Sequence, residues 1–297
     1  MAVILALVGF VQAGMATNAP DTAQMDAQQA ALVSAVKAMQ AAQVPGPADI
    51  KLRDQATLKL PAGYVWVPEP AAGQYMKAMG NHPDERGLGL IFPQAESDNW
   101  MVVAEYEPSG YIKDEDAQNW DVDDMFKSLQ EGTEAANEER RAQGFPELSI
   151  VGWVEKPNYA ADSHRLIWSM SARHKGAPAD APMSINYNTY ALGREGYITL
   201  NLITGLNNIA QDKQHAQTLL TALSFDEGKR YADFNSSTDK VAEYGLAALV
   251  GGLAAKKLGM FALAAGFFAK FAKVILLAGA GAVAVFTKFF KKDKNQG

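Results

Sequence analysis

Residues 184–203, SINYNTYALGREGYITLNLI, decide the fold. Residues 184–192 and 197–203 are rich in Tyr, Ile, Leu and Thr and alternate in polarity, which reads as two strands. Gly193-Arg194-Glu195-Gly196 between them is turn material, and so short a connection makes the pair antiparallel. Upstream, residues 164–173 and 148–155 repeat the strand pattern. Residues 88–92 and 100–107 follow suit, the second placing Trp100, Val102, Ala104 and Tyr106 on one face. Earlier still, 50–52 and 56–60 around Asp54-Gln55 read as a hairpin, and 64–67 as a further strand. Helices fall outside this run. Residues 21–43 carry Met25, Leu32, Val36 and Met39 at helical spacing, and Pro45-Gly46-Pro47 ends them. A short helix is expected at 74–79. Residues 121–143 begin in Asp121, Asp123 and Asp124 and end in Arg140 and Arg141, which suits the helix dipole, and 208–223 form a last helix. The expected class is α+β, an antiparallel sheet covered by helices.

The chain around this body has 297 residues, 48% hydrophobic, 20% charged and without cysteine. Lack of cysteine excludes thiolate nucleophiles, cysteine-bound zinc, iron–sulfur clusters and disulfides. The net charge of −6 divides unevenly: residues 241–297 hold eight Lys against Glu243 and Asp293, a net of +6, leaving −12 on the rest. An acidic body on a basic, apolar tail argues against nucleic acid and for a lipid bilayer as partner. Residues 2–11 are apolar apart from Gly9 and lead into small residues, so 1–16 are expected to be a signal peptide, with no basic residue in front of the run. Residues 17–47 are then a helical lead and linker, 48–235 an exported α+β domain, and 241–290 a Gly- and Ala-rich membrane-associated helical tail ending in the basic terminus 291–297. A membrane span needs about 20 apolar residues. The best stretch, 258–287, contains Lys270 and Lys273, which must snorkel or face a partner. The Lys-rich end favours a cytoplasmic C-terminus after a single crossing, with the body periplasmic at a bacterial inner membrane; a two-helix hairpin would instead leave the terminus outside. Within the tail, Gly245, Gly252, Gly259 and Gly266 recur every seven residues, with Ala248, Ala255, Ala262 and Ala269 three further on. Such a heptad is a candidate helix-packing seam through which the chain would form a homo-oligomer.

Catalytic signatures are absent: no G-x-S-x-G elbow, H-E-x-x-H, phosphate loop or G-x-G-x-x-G occurs. The acidic stretch Asp114, Glu115, Asp116, Asp121, Asp123 and Asp124 fails as a calcium loop, since counting from Asp114 puts Asn119 and Met125 where Gly and Glu are needed, and it reads as a solvated helix start. No cofactor and no metal site is expected. His164 reads as a part-buried or edge histidine, and His215 with Asp212 as a surface pair. The least ordinary feature is polar. Alternation places Arg165 and Arg173 together, Asn186, Asn188 and Tyr190 together, and Thr199 and Asn201 together. Adjacent strands would gather these into one wet face able to hold a ligand or partner.

The segments LRDQATLKLPAGYVWVP (52–68), EGTEAANEERRAQG (131–144), VGWVEKP (151–157), YNTYALGREGYITLNL (187–202), LLTALSFDEGKRYADF (219–234) and DKVAEYGLAALVGGLAAKKLG (239–259) resemble a bacterial family of membrane-anchored proteins labelled domain of unknown function 2167. That resemblance implies an exported body on a C-terminal membrane anchor and assigns no activity or site residue. More loosely, LPAGY (60–64) and LLTALSF (219–225) resemble the Mog1/PsbP-like architecture. Three functions remain open: a non-enzymatic envelope protein that senses or scaffolds an envelope partner, a pore-forming or membrane-remodelling assembly built on the heptads, and a hydrolase with a dispersed site such as His164, Arg165 and Glu155.

Overall fold

The 184–203 hairpin lies at the middle of the molecule. In the computed structural model, which describes residues 22–79, 85–95, 97–142 and 146–251, its strands are β9 (Ser184–Leu192) and β10 (Tyr197–Gly205), paired from Tyr197↔Leu192 to Gly205↔Ser184. The elements before them are α1 (Thr22–Ala42), β1 (Val44–Pro45), β2 (Ala48–Leu52), β3 (Ala56–Leu60), β4 (Tyr64–Pro68), α2 (Ala71–Ala78), β5 (Gly87–Pro93), β6 (Met101–Glu107), α3 (Val122–Ala142), β7 (Leu148–Ala160) and β8 (Arg165–His174). After them come α4 (Ile209–Ala222), β11 (Leu223–Phe225) and α5 (Ala248–Gly251). The large sheet is antiparallel throughout and ordered β1-β4-β5-β6-β10-β9-β8-β7. Two meanders meet in it. β4-β5-β6 and β7-β8-β9-β10 are each sequential in the chain, the first with α2 between β4 and β5, and the β6–β10 pairing, Tyr197↔Glu107 to Ile203↔Met101, joins them.

Both faces of that junction are covered. On one face Val102, Ala104, Ile198, Leu200, Leu202, Ile185 and Tyr187 pack against α4 and a small second sheet, β11-β3-β2. Helix α4 presents Ile209, Ala216, Leu219 and Leu220, its apolar stripe. Two polar contacts fix it further: Thr204 Oγ1 donates to Asp212 Oδ2 at 2.5 Å, and Tyr64 OH meets His215 Nδ1 at 2.9 Å while the imidazole stacks on Trp100. Asp212 and His215 thus bind the sheet separately and are not the surface pair their spacing suggested. On the opposite face two helical layers sit side by side. α1 and α2 cover β4–β6 through Val36, Met39, Ala72 and Tyr75, and α3 with α5 covers β8–β10 through Met125, Leu129, Leu246 and Val250.

The architecture is the α+β one read from the sequence, with a large antiparallel sheet and few helices. Among the described residues no helix is long and apolar enough to cross a membrane. The expected signal segment 1–16 and the tail beyond residue 251 lie outside the described residues.

Gly196 is where the junction is tightest. A Cβ built there would stand 2.0 Å from the Glu107 carbonyl oxygen on the neighbouring strand, a backbone atom with no room to retreat. Gly196→Ala is therefore expected to lower folding stability by about 1–3 kcal/mol, as overpacking does. A urea midpoint unchanged from wild type would show that β6 and β10 are not so closely held.

Candidate functional site: a buried polar strip beside a histidine corner

The strand register brings most of the expected polar residues together, on a face that is buried. β8 pairs with β9 as Leu166↔Tyr190, Trp168↔Asn188 and Met170↔Asn186; β9 pairs with β10 as Tyr190↔Thr199; and β10 pairs with β6 as Thr199↔Glu105 and Asn201↔Val103. Residues directly opposite have Cβ atoms about 5 Å apart. Asn186, Asn188, Tyr190, Thr199 and Asn201 thus form one strip across β9 and β10. It lies between the two helical layers, and all five residues are at most 3% exposed.

Few of their polar atoms are satisfied. Asn188 Nδ2 makes two long bonds, to the Trp168 and Asn186 carbonyls at 3.4 and 3.2 Å. Asn186 Oδ1, Thr199 Oγ1 and both polar atoms of the Asn201 amide have no hydrogen-bond partner among the described residues, while the Trp168 indole N–H and the Tyr190 hydroxyl face one another. Burial pushes the Tyr190 hydroxyl well above its ordinary range, so it stays a neutral donor and acceptor. The strip's own side chains are an uncharged mixture of donors and acceptors, with the buried carboxylate of Glu105 opposite Thr199. At its far side the Arg86–Glu107 pair, 2.8 Å, brings charge.

Arg165 and Arg173 do not join it. Because even-numbered residues of β8 face even-numbered residues of β9, both arginines point to the α4 side with Ile185, Tyr187 and Ala191. Arg165 is half-buried there, donating Nη2 to the Leu223 carbonyl at 2.9 Å, and desolvation lowers its pKa to about 10. Arg173 donates to the Ala179 carbonyl. Glu155 also faces α4, near Lys213 and Tyr187, so His164, Arg165 and Glu155 do not converge.

His164 meets other residues. It ends the β7–β8 turn in the left-handed region, φ 52°, unusual for a side chain of this size. Tyr159 OH lies 2.6 Å from Asp114 Oδ2 and 3.1 Å from His164 Nδ1. The single phenolic proton goes to the carboxylate, the nearer and charged acceptor, so Tyr159 accepts from His164 Nδ1–H. Burial, then the bond to Asp114, pushes the Tyr159 hydroxyl far up, and it remains protonated. The imidazole stacks on Tyr231 at 4.1 Å, Tyr231 on Tyr111 at 4.4 Å and Tyr111 on Phe234 at 3.8 Å. This oriented histidine was hidden in the sequence because β7 runs on to Ala160, bringing Tyr159 opposite the turn, while Asp114 arrives from a distant loop.

The tail starts at the same corner. Tyr111 N–H donates to the Lys240 carbonyl and Ala242 N–H to the Tyr111 carbonyl, at 2.8 and 2.9 Å. Asp116, one of the carboxylates expected to be merely solvated, accepts from the Leu246 and Ala247 N–H groups at 3.1 and 2.9 Å. Arg194 grips Asp239 through two bonds of 2.6 and 2.8 Å and holds its carboxyl well below the usual range. Of the expected packing seam, Gly245 lies just before α5, where a Cβ would stand 2.6 Å from Asp116 Oδ2, and Ala248 opens α5. Gly252, Ala255, Gly259, Ala262, Gly266 and Ala269 lie outside the described residues.

With this geometry in place, the family described as "Protein of unknown function (DUF2167)" matches residues 44–280, from β1 through this corner and far into the tail. The chain belongs to the DUF2167 family. No curated protein matches the DUF2167 chain. Among solved structures it is similar to the solution structure of cyanobacterial PsbP (CyanoP) from Synechocystis sp. PCC 6803, at 10% identity and a TM-score of 0.36, over 62% of this chain and 91% of that one.

Leaving polar atoms buried and unpaired costs about 1–3 kcal/mol per group, whereas an apolar side chain of the same shape carries no such cost. Asn201→Leu is therefore expected to raise folding stability by about that amount. A fall in the denaturation midpoint would mean that the Asn201 amide is paired after all.

Proposed function

We propose that this DUF2167 protein is a membrane-anchored envelope module of the bacterial inner membrane that works by sensing or scaffolding and not by catalysis. In this reading the body is periplasmic, the C-terminus is cytoplasmic, and the tail drives homo-oligomerisation. One observation carries it: the chain leaves the body without slack. Residues 239–250 are bound through Asp239, Tyr111 and Asp116, and Leu246, Leu249 and Val250 are buried with α3. In sequence the apolar, Gly- and Ala-rich run continues at once to residue 290. A body joined in this way transmits its state to its anchor, as a sensor or scaffold requires and an enzyme merely tethered to a surface does not.

Because the chain has no cysteine, single introduced thiols report topology without background. Ser236→Cys, exposed beside the corner, is expected to react with a membrane-impermeant maleimide in intact spheroplasts, and Gln296→Cys only after lysis. Labelling of Gln296→Cys from outside together with Ser236→Cys would replace the single crossing by the hairpin. Protection of Ser236→Cys until lysis would overturn the proposal.

A further inference from the structure

The buried stripe of α3 changes character along its length. Met125 and Leu129 are apolar, and Thr133, Asn137 and Arg140 continue the same face toward the end of the helix. Thr133 Oγ1 donates to the Leu129 carbonyl, and Asn137 takes both the N–H and the carbonyl of Leu148, at 2.8 and 2.9 Å. Arg140 is not satisfied. Its side chain is 1% exposed, and Nε donates to the Pro146 carbonyl at 2.7 Å. Among the described residues the buried Nη1 and Nη2 have no hydrogen-bond partner and no carboxylate pairs with them. His174, the titratable group felt nearby, is itself held below its ordinary pKa, first by burial and then by the Arg140 charge, so it adds no positive charge near neutral pH.

A guanidinium does not shed its proton in a protein, so the escape open to a buried lysine is closed to it. An isolated buried charge is expensive unless it is paired. We infer that Arg140 is the receptor of a buried anion: a small oxyanion, carboxylate or phosphate, seated on the two free Nη groups. A planar fork with both ends free matches two oxygens of one group and has no such match for a halide. The Pro146 carbonyl, bound to Nε, fixes how the fork is turned. Arg165, half-buried and without a carboxylate among the described residues, has only Nη1 buried and unpaired and cannot grip in the same way. Since the two Nη groups are shut off from solvent, a seated anion is retained. This site is independent of the anchoring proposal.

The test is unfolding of the full chain in detergent at constant ionic strength, with sodium phosphate, sodium acetate or sodium chloride varied over two decades of concentration. One bound oxyanion raises the folded-to-unfolded ratio by up to about tenfold per decade of ligand. Wild type is expected to show that slope with phosphate or acetate, whichever responds naming the source, and none with chloride. Arg140→Met should lose the slope, and Arg140→Lys should weaken it. Equal response to all three salts, or a slope that survives in Arg140→Met, would overturn the inference. Should Arg140→Met not fold, nitrogen NMR of the wild-type guanidinium decides: the Arg140 Nη signals move on adding the oxyanion, or the inference fails.

Discussion

The seven-residue pairing of β6 with β10 is the constraint on which the rest of the structure depends. Each meander is sequential in the chain, and its strands could pair before the two meet, but neither buries both of its faces alone. Joined, they place β9 and β10 in the interior of an eight-stranded sheet, and those strands then lose solvent on both sides. A pairing between chain segments so far apart closes a large loop before any contact rewards it, so it forms late and must be worth much. The backbone approach at Gly196 belongs to that requirement, as does the load of apolar side chains on the α4 face.

The same burial explains why the strip is anomalous. An interior strand of apolar composition would be at ease between helix layers. β9 and β10 instead carry Asn186, Asn188, Thr199 and Asn201 into a dry seam, at the boundary where the α1–α2 layer ends and the α3–α5 layer begins. Buried polar atoms without partners are kept in few places by most proteins, and the cost is borne by the remaining core. The tail corner and the Arg140 end of α3 border the same α3–α5 layer. Polar frustration, an oriented histidine and the start of the tail are thus all tied to one half of the molecule.

Much of this was legible from local pattern. The 184–203 hairpin, the Trp100 to Tyr106 face and the limits of α3 and α4 follow from alternation, turn residues and end charges, which act over a few residues. What alternation cannot supply is parity between strands. It puts Arg165 with Arg173, and Asn186 with Asn188, but whether the two pairs share a face depends on the β8–β9 register, set across a connection of nine residues from 175 to 183 and not by a tight turn. Nor can it tell a wet face from a covered one, since the covering helices are distant in sequence. His164 was visible as a residue and not as a site, because its partners Tyr159 and Asp114 come from an unexpectedly long strand and a separate loop.

The central claim is that the polar strip is closed to water and unpaired. Side-chain amide hydrogen exchange of Asn201, followed by NMR on the full chain, tests it most directly. The account predicts exchange as slow as that of the backbone amides in β10, since the Asn201 amide reaches water only when the helix layers part. Exchange at the rate of an exposed asparagine would contradict it, placing water in the seam and removing the strip as a stored cost.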